Sequence, residues 1–306
     1  MGATILRSWK VRIGLAVFAV FALAAIFGPW IDHALLGRDA KALNYLAVSQ
    51  SPNSQHLLGT TSTGQDVLAQ VIVGARDSLL VGLIAAVIGT ALAILFGVTA
   101  GFFGRGVDTV LNFVTNLFIV LPIFPLTLVV AGYLQGTGPV TIALIIGVFG
   151  WAGGARTLRA QTMTLRNRDF TVAMKMLGES KRRLIFVEVF PQLSGWVSAM
   201  FLHGIIGGVL AEAGLAFLGI SNPDTVSWGT MIQNAQQQNA ILNGQWWWFV
   251  PPGLCIAAIG TAVGLINFGI DEVASPRLRS ARRVVRKRTS RTAARTAART
   301  GSEAAA

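Results

Sequence analysis

A chain of 306 residues with 53% hydrophobic and only 12% charged side chains is too apolar for an ordinary soluble domain, where about one residue in four is charged. Several apolar runs reach the roughly 20 residues that cross a bilayer as a helix, so the expected class is an all-α polytopic membrane protein rather than a soluble enzyme. The net charge of +12 is uneven: ten of the 25 Lys and Arg follow Ala274, against the single acid Glu303, so the basic feature is a tail and no nucleic-acid partner is expected.

Residues 1–12 carry Arg7, Lys10 and Arg12 and read as a cytoplasmic N-terminus. The apolar run 13–30 is the first span. A cleaved signal peptide ending near Ala22-Leu23-Ala24 is the competing reading, but the run is long for that purpose. Residues 31–78 form a polar extracytoplasmic segment. Within it Gly59 and Gly64 mark a turn. Val67, Leu68, Val71, Ile72 and Ala75 then make one apolar stripe, with Asp66, Gln70 and Asp77 off it, which predicts an interfacial helix leading into the second span. His33 and His56 have no metal-ligand spacing and read as surface histidines.

The membrane core covers 79–272. Span 2 runs over 79–101, and a turn at 102–107 holds Arg105. Span 3 runs over 108–134. It carries Asn112 and Asn116 one helical turn apart, candidates for a pathway or interhelical polar role, and Pro122 and Pro125, which kink a helix at that depth. Span 4, over 139–151 with a continuation through Gly153-Gly154 into the loop as the alternative, is short and bears Gly147 and Gly150, suited to close packing. Span 5 runs over 195–220. Its His203 and Glu212 are nine residues apart and fall on opposite faces, which disfavours a relay between them. Glu212 stands either as a functional intramembrane acid or as an interhelical hydrogen-bonding group. Residues 221–245 read as a polar loop without Lys or Arg. Span 6, over 246–270, opens on Trp246-Trp247-Trp248, an aromatic belt that is also able to stack on sugars, and has Pro251 and Pro252 in its first turns. Cys255, the only cysteine, lies in this run as a small core residue. Residues 273–306 read as a basic disordered tail drawn to an anionic leaflet.

With six spans and both ends cytoplasmic, the inner side holds 22 of the 25 basic residues, leaving Arg38, Lys41 and Arg76 outside. This puts the loop of about 155–193 in the cytoplasm. There Phe170, Ala173, Met174 and Leu177 fall at i, i+3, i+4 and i+7, one face of a short helix. Asp169 sits as its N-cap and Gly178 as its left-handed stop. A second helical run from Lys181 ends at about Val189, before Pro191. An amphipathic helix on the water side needs a groove to bury its apolar face, and the expected groove belongs to another protein.

No phosphate-cradling glycine loop with a lysine, no H-E-x-x-H, no nucleophile elbow and no Cys/His cluster occurs, so no catalytic residue, metal site or cofactor is expected in this chain. Uphill transport would draw on an ion gradient or on a separate ATPase. An ion-coupled transporter predicts internal repeats and paired intramembrane acids. No clear repeat is seen, and Glu212 is the one acid well inside a span. A membrane scaffold that moves nothing is the third class.

Three blocks carry a family resemblance. The first is Leu58-Gly59-Thr60, Gly64-Gln65-Asp66-Val67-Leu68, Gly74-Ala75-Arg76 and Ser78-Leu79. The second is Asp169-Phe170-Thr171-Val172-Ala173-Met174, then Leu177-Gly178 and Pro191. The third is Leu215-Ala216-Phe217-Leu218-Gly219 and Ser227-Trp228-Gly229, closed by Pro276-Arg277-Leu278-Arg279. Over residues 8–280 the chain resembles inner-membrane permease subunits of ATP-binding-cassette importers, in the second permease type of the dipeptide/oligopeptide branch. It departs from them at Thr61, Gln65, Val172 and Met174; Val172 replaces a glutamate that, with Asp169 as N-cap, would stand at N3 and complete a capping box. The resemblance implies the type I importer permease fold with six helices and an EAA loop. It implies a heterodimer with a homologous permease, two ATPase subunits that bind ATP and Mg, and an extracytoplasmic binding protein. Asp169, Phe170, Ala173, Met174, Leu177 and Gly178 would dock the ATPase. Peptides are the implied substrate, with oligosaccharides or nickel as alternatives, and the inner membrane is the implied location.

Overall fold

The computed structural model describes residues 8–34, 39–134, 138–222 and 224–274. Arg7, Arg38, the closing Pro276–Arg279 run and the basic tail lie outside the described residues, as does the side chain of His33. Ten helical elements follow one another: α1 Trp9–Ala34, α2 Val67–Phe103, α3 Arg105–Val120, α4 Ile123–Tyr133, α5 Pro139–Phe149, α6 Ala152–Arg166, α7 Asp169–Met176, α8 Lys181–Phe217, α9 Trp228–Gln237 and α10 Trp246–Ala274. Among the described residues, strand pairing is confined to a Thr60–Asp66 bridge. Four helices (α1, α2, α8 and α10) are long and apolar enough to cross a membrane, and the pairs α3/α4 and α5/α6 pass the same test as bent units. The chain is an all-α polytopic membrane protein.

The expected interfacial helix and second span are one helix. α2 is continuous for 37 residues, about 55 Å at 1.5 Å per residue against a hydrocarbon core of about 30 Å, so it projects beyond that core. No proline interrupts it. It starts where the Asp66 carboxylate accepts the Ala69 N–H at 3.0 Å, and it ends at Gly104 with φ +65°. Span 3 is broken rather than merely kinked. The axes of α3 and α4 differ by 81°. Leu121, which precedes Pro122, is held extended with ψ 130°, as steric conflict with a following proline ring requires. α5 and α6 bend by 42° at Gly150-Trp151, and the helix then continues well past Gly153-Gly154 to Arg166.

α8 also corrects the reading. The run from Lys181 does not end before Pro191; it passes through a π-helical turn, Leu184–Val189, and continues to Phe217. The Phe190 N–H reaches back five residues to the Ile185 carbonyl. Pro191 has no N–H to donate, and in a regular α-helix its ring would press on the carbonyl four residues earlier; the wider turn falls where that conflict would arise. The polar loop 221–245 contains α9, whose Trp228, Met231 and Ala235 are buried at helical spacing. The tryptophan trio does not form one exposed platform. Trp246 is 55% exposed, but Trp248 is buried, and the Trp247 indole N–H donates to the Thr60 carbonyl at 3.2 Å. His56 is not a free surface histidine: its Nδ1 lies 2.7 Å from Asp66 Oδ2.

α2 is the element around which the others pack, touching α1, α5, α6 and α8 along its length. At Gly82 and Gly208 the α2 and α8 backbones meet, and a Cβ added at Gly208 would sit 2.8 Å from the Gly82 Cα. Apolar helices in lipid gain little from hydrophobic burial against one another, so such close backbone approach supplies the attraction. Gly208→Val is therefore expected to cost about 1–3 kcal/mol of stability, seen as a lower melting temperature of the detergent-purified protein. Gly207→Val, where nothing lies within 4 Å of an added Cβ, should leave that temperature unchanged.

Candidate functional site

α7 is held at one end of the bundle by its own sequence. The chain leaves α6 at Arg166, turns through Asn167, and is extended at Arg168, which is the N-cap. Asp169 is thus the first helical residue and not the cap; it is exposed there, still favourably placed toward the positive end of the helix. Thr171, not Val172, takes the third helical position, so a capping-box role for position 172 does not fit this register. The Thr171 hydroxyl, buried, donates to the Leu165 carbonyl at 2.9 Å and ties α7 back to α6. The far end is a Schellman stop. Gly178 has φ +82°, its N–H meets the Lys175 carbonyl, and the Glu179 N–H meets the Met174 carbonyl.

The inner face of α7 rests on an apolar cluster of Val98 and Phe102 from α2, Leu165 from α6, and Leu184, Val189 and Leu193 from α8. Met174 packs into this cluster from α7, and Phe170 is half-buried. The opposite face is open: Val172 is 38% exposed, Met176 83% and Leu177 79%, with Ala173 exposed beside them. The six residues singled out in the sequence therefore separate. Met174 serves this chain's own core and Phe170 is half-buried, while Asp169, Ala173, Leu177 and Gly178 are exposed. Val172, Thr171 and Met176 were missed because α7 is apolar on two sides, and the i, i+3, i+4, i+7 stripe mixes them. The 100° step of a helix with Thr171 taken as inward would have separated the two faces.

Other polar groups join one helix to another, some at the surface and some buried. Arg159 of α6 grips Asp108 of α3 with two bonds of 2.5 and 2.7 Å, a bidentate pairing that fixes geometry. Asn116 accepts a bond from Arg156 at 3.0 Å; Asn112, one turn away, is half-buried. Glu212 is buried in α8 and accepts the Ser227 hydroxyl at 2.6 Å. Ser227 in turn caps α9, accepting the Thr230 N–H at 3.1 Å, and the Trp228 N–H donates to Ser78 Oγ of α2 at 3.0 Å. His203 lies on another face of α8, exposed and bonded to the Ala199 carbonyl. It borders an open cavity of about 810 Å³ between α6, α8 and α10, with Thr157, Trp196, Met200 and Asn267 in its wall.

Residues 93–280, which include α6, α7, α8, α9 and α10, match the family described as binding-protein-dependent transport system inner membrane component. The chain belongs to that family. The oligopeptide transport system permease protein OppC of Mycobacterium tuberculosis is 34% identical over 274 residues, covering 89% of this chain and 93% of that protein. A putative peptide transport system permease protein of Brucella suis is 30% identical over 278 residues, 90% of each chain. The dipeptide transport system permease protein DppC of Bacillus subtilis is 28% identical over 268 residues, 87% of this chain and 81% of that one. The chain is thus a multi-pass permease component of a transport system, and the resemblance drawn from its three sequence blocks holds at the level of the family.

In this permease the Glu212–Ser227 bond fastens α9 to α8 together with the close approach of Gly229 to Ala213. Glu212→Gln retains an acceptor for the Ser227 hydroxyl and is expected to melt close to wild type. Glu212→Ala strands that hydroxyl and leaves a void, costing about 1–3 kcal/mol. Equal melting temperatures for the two variants would show that the bond contributes nothing.

Proposed function

We propose that this permease, paired with a homologous permease, forms the pathway of an ATP-driven importer for peptides delivered by an extracytoplasmic binding protein. In this reading both termini and α7 are cytoplasmic, in keeping with the placement of basic residues. Two ATPase subunits bind ATP and Mg and hydrolyse the nucleotide, and each docks one permease. The observation that carries the reading is the two-sided α7. One side is seated where α2, α6 and α8 converge, and the other presents apolar side chains to water. A helix so placed passes a rigid-body displacement of a bound partner to three spanning elements together.

The docking set is proposed as Asp169, Ala173, Leu177 and Gly178 with Val172 and Met176 added, while Phe170 and Met174 transmit the motion inward. The cavity beside His203 is proposed as this chain's half of the pathway. Peptide as the substrate rests on the similarity to the peptide transport permeases of Mycobacterium, Brucella and Bacillus. The burial of Trp248 and the bond made by Trp247 leave little for an oligosaccharide to stack on at that tryptophan cluster.

In proteoliposomes containing the full complex, uptake of a labelled peptide is expected to require ATP inside the cytoplasmic compartment. Uptake that persists without ATP would favour an ion-coupled carrier. Gly178→Asp has open space for its side chain but strains the left-handed stop of α7 by about 1–2 kcal/mol; it is expected to leave the helical bundle folded yet abolish transport-coupled hydrolysis. Undiminished coupled hydrolysis would remove Gly178 from the docking set.

A further inference from the structure

We infer that the surface receiving α7 is an apolar slot with an acidic rim, and that the ATPase partner supplies both. This inference rests on the docking proposed above and adds the chemistry of the partner's side. Val172 and Met176 are each two residues from Met174, about 200° around the helix, so they lie nearly opposite the side chain that packs on the permease. They stand one turn apart in one row, with Ala173 and Leu177 in the adjacent row. Met176 and Leu177 are 83% and 79% exposed, large values for side chains whose burial lowers the free energy. The inner face sits on the ends of α2 and α8, so this outer face points away from the bundle.

The charges around the face have a sign. Several bases of this surface are already engaged: Arg159 with Asp108, Arg166 with the Phe102 carbonyl, Arg183 with Glu179 at 3.1 Å, and Lys181 over the Phe103 ring. Arg168, Lys175 and Arg182 are exposed and make no ion pair among the described residues. Against them stands exposed Asp169. A partner matching this surface places apolar side chains opposite Val172 and Met176 and carboxylates opposite the three bases. A carboxylate-binding pocket opposite position 172 is the reverse arrangement.

The test uses the intact complex, purified through a tag on this chain, with retained ATPase subunits quantified at low and high salt. Val172→Glu is expected to reduce retention roughly tenfold or more, since it carries an unpaired charge into the slot, while Val172→Leu stays within about twofold of wild type. Both variants should melt like wild type, position 172 being outside the core. Arg168→Gln combined with Lys175→Gln is expected to lower retention at low salt and to weaken its salt dependence, Arg182 being left in place. Wild-type retention by Val172→Glu overturns the apolar slot, and salt-independent retention by the wild type overturns the acidic rim. Protection of Met176 by anionic nanodisc lipid, with retention unaffected by Val172→Glu, overturns both in favour of a lipid-facing helix. A wild-type complex that carries no ATPase sinks the proposed function itself, an outcome separable from the others.

Discussion

Backbone-to-backbone contact along α2 is the constraint on which the rest of this permease depends. A Cβ added at Gly97 would meet the Ala155 carbonyl oxygen at 2.5 Å, and one at Gly101 the Arg159 carbonyl oxygen at 2.7 Å. With the Gly82–Gly208 crossing, these contacts lock α6 and α8 to opposite stretches of one long helix. Lipid tails are as apolar as leucine, so helices here are held by proximity and shape and not by exclusion from water. The consequence for function is mechanical. α7 is seated on α2, α6 and α8 near the positions where α2 and α6 are closest, so it moves with a braced unit and not with a single flexible loop.

Polar contacts between helices have the complementary task of fixing which elements travel together. Asp108–Arg159 joins the short amphipathic α3 to α6, on the same side of the molecule as α7. Glu212, Ser227, Ser78 and Trp228 join α8, α9 and α2 at the other end. The Ser78–Trp228 and Asp108–Arg159 contacts join elements remote in sequence, and the buried Glu212–Ser227 bond would cost free energy if left unmade in an apolar medium. The worth of such pairs lies in register more than in net stability, since desolvation offsets much of the attraction. The 81° break between α3 and α4 shows the opposite principle. There the proline geometry at Pro122 ends one helix and starts another, and the two halves are free to pack independently.

Much of the fold was legible because the relevant signals are local. Apolar length marked the spans, Pro122 marked the break in span 3, and Gly178 marked the stop of α7, where a left-handed residue is required. The misreadings were also local signals, overridden by packing. Gly59 and Gly64 correctly preceded a helix, but nothing after Val67 separates an interfacial helix from a span, and the two are continuous. Pro191 looked like a terminator, and a π turn absorbed it. Ser227-x-x-Thr230 with Trp228, Met231 and Ala235 was a readable capping and packing pattern for α9, obscured by the polar residues around it.

The sequence by itself determined the class, the spans, the presence of a short helix between Arg168 and Gly178, and the family. These follow from hydropathy, backbone preference and motif spacing, which are properties of neighbouring residues. Only the tertiary structure decided which side of α7 belongs to the permease, that Glu212 is fastened to the cap of α9, and that Trp247 and Trp248 turn inward. The physical reason is that an apolar side chain is equally at home against lipid, against its own core or against a partner, so hydropathy cannot distinguish Met174 from Met176; what separates them is the position of Val98, Phe102 and Leu184, brought there from distant parts of the chain.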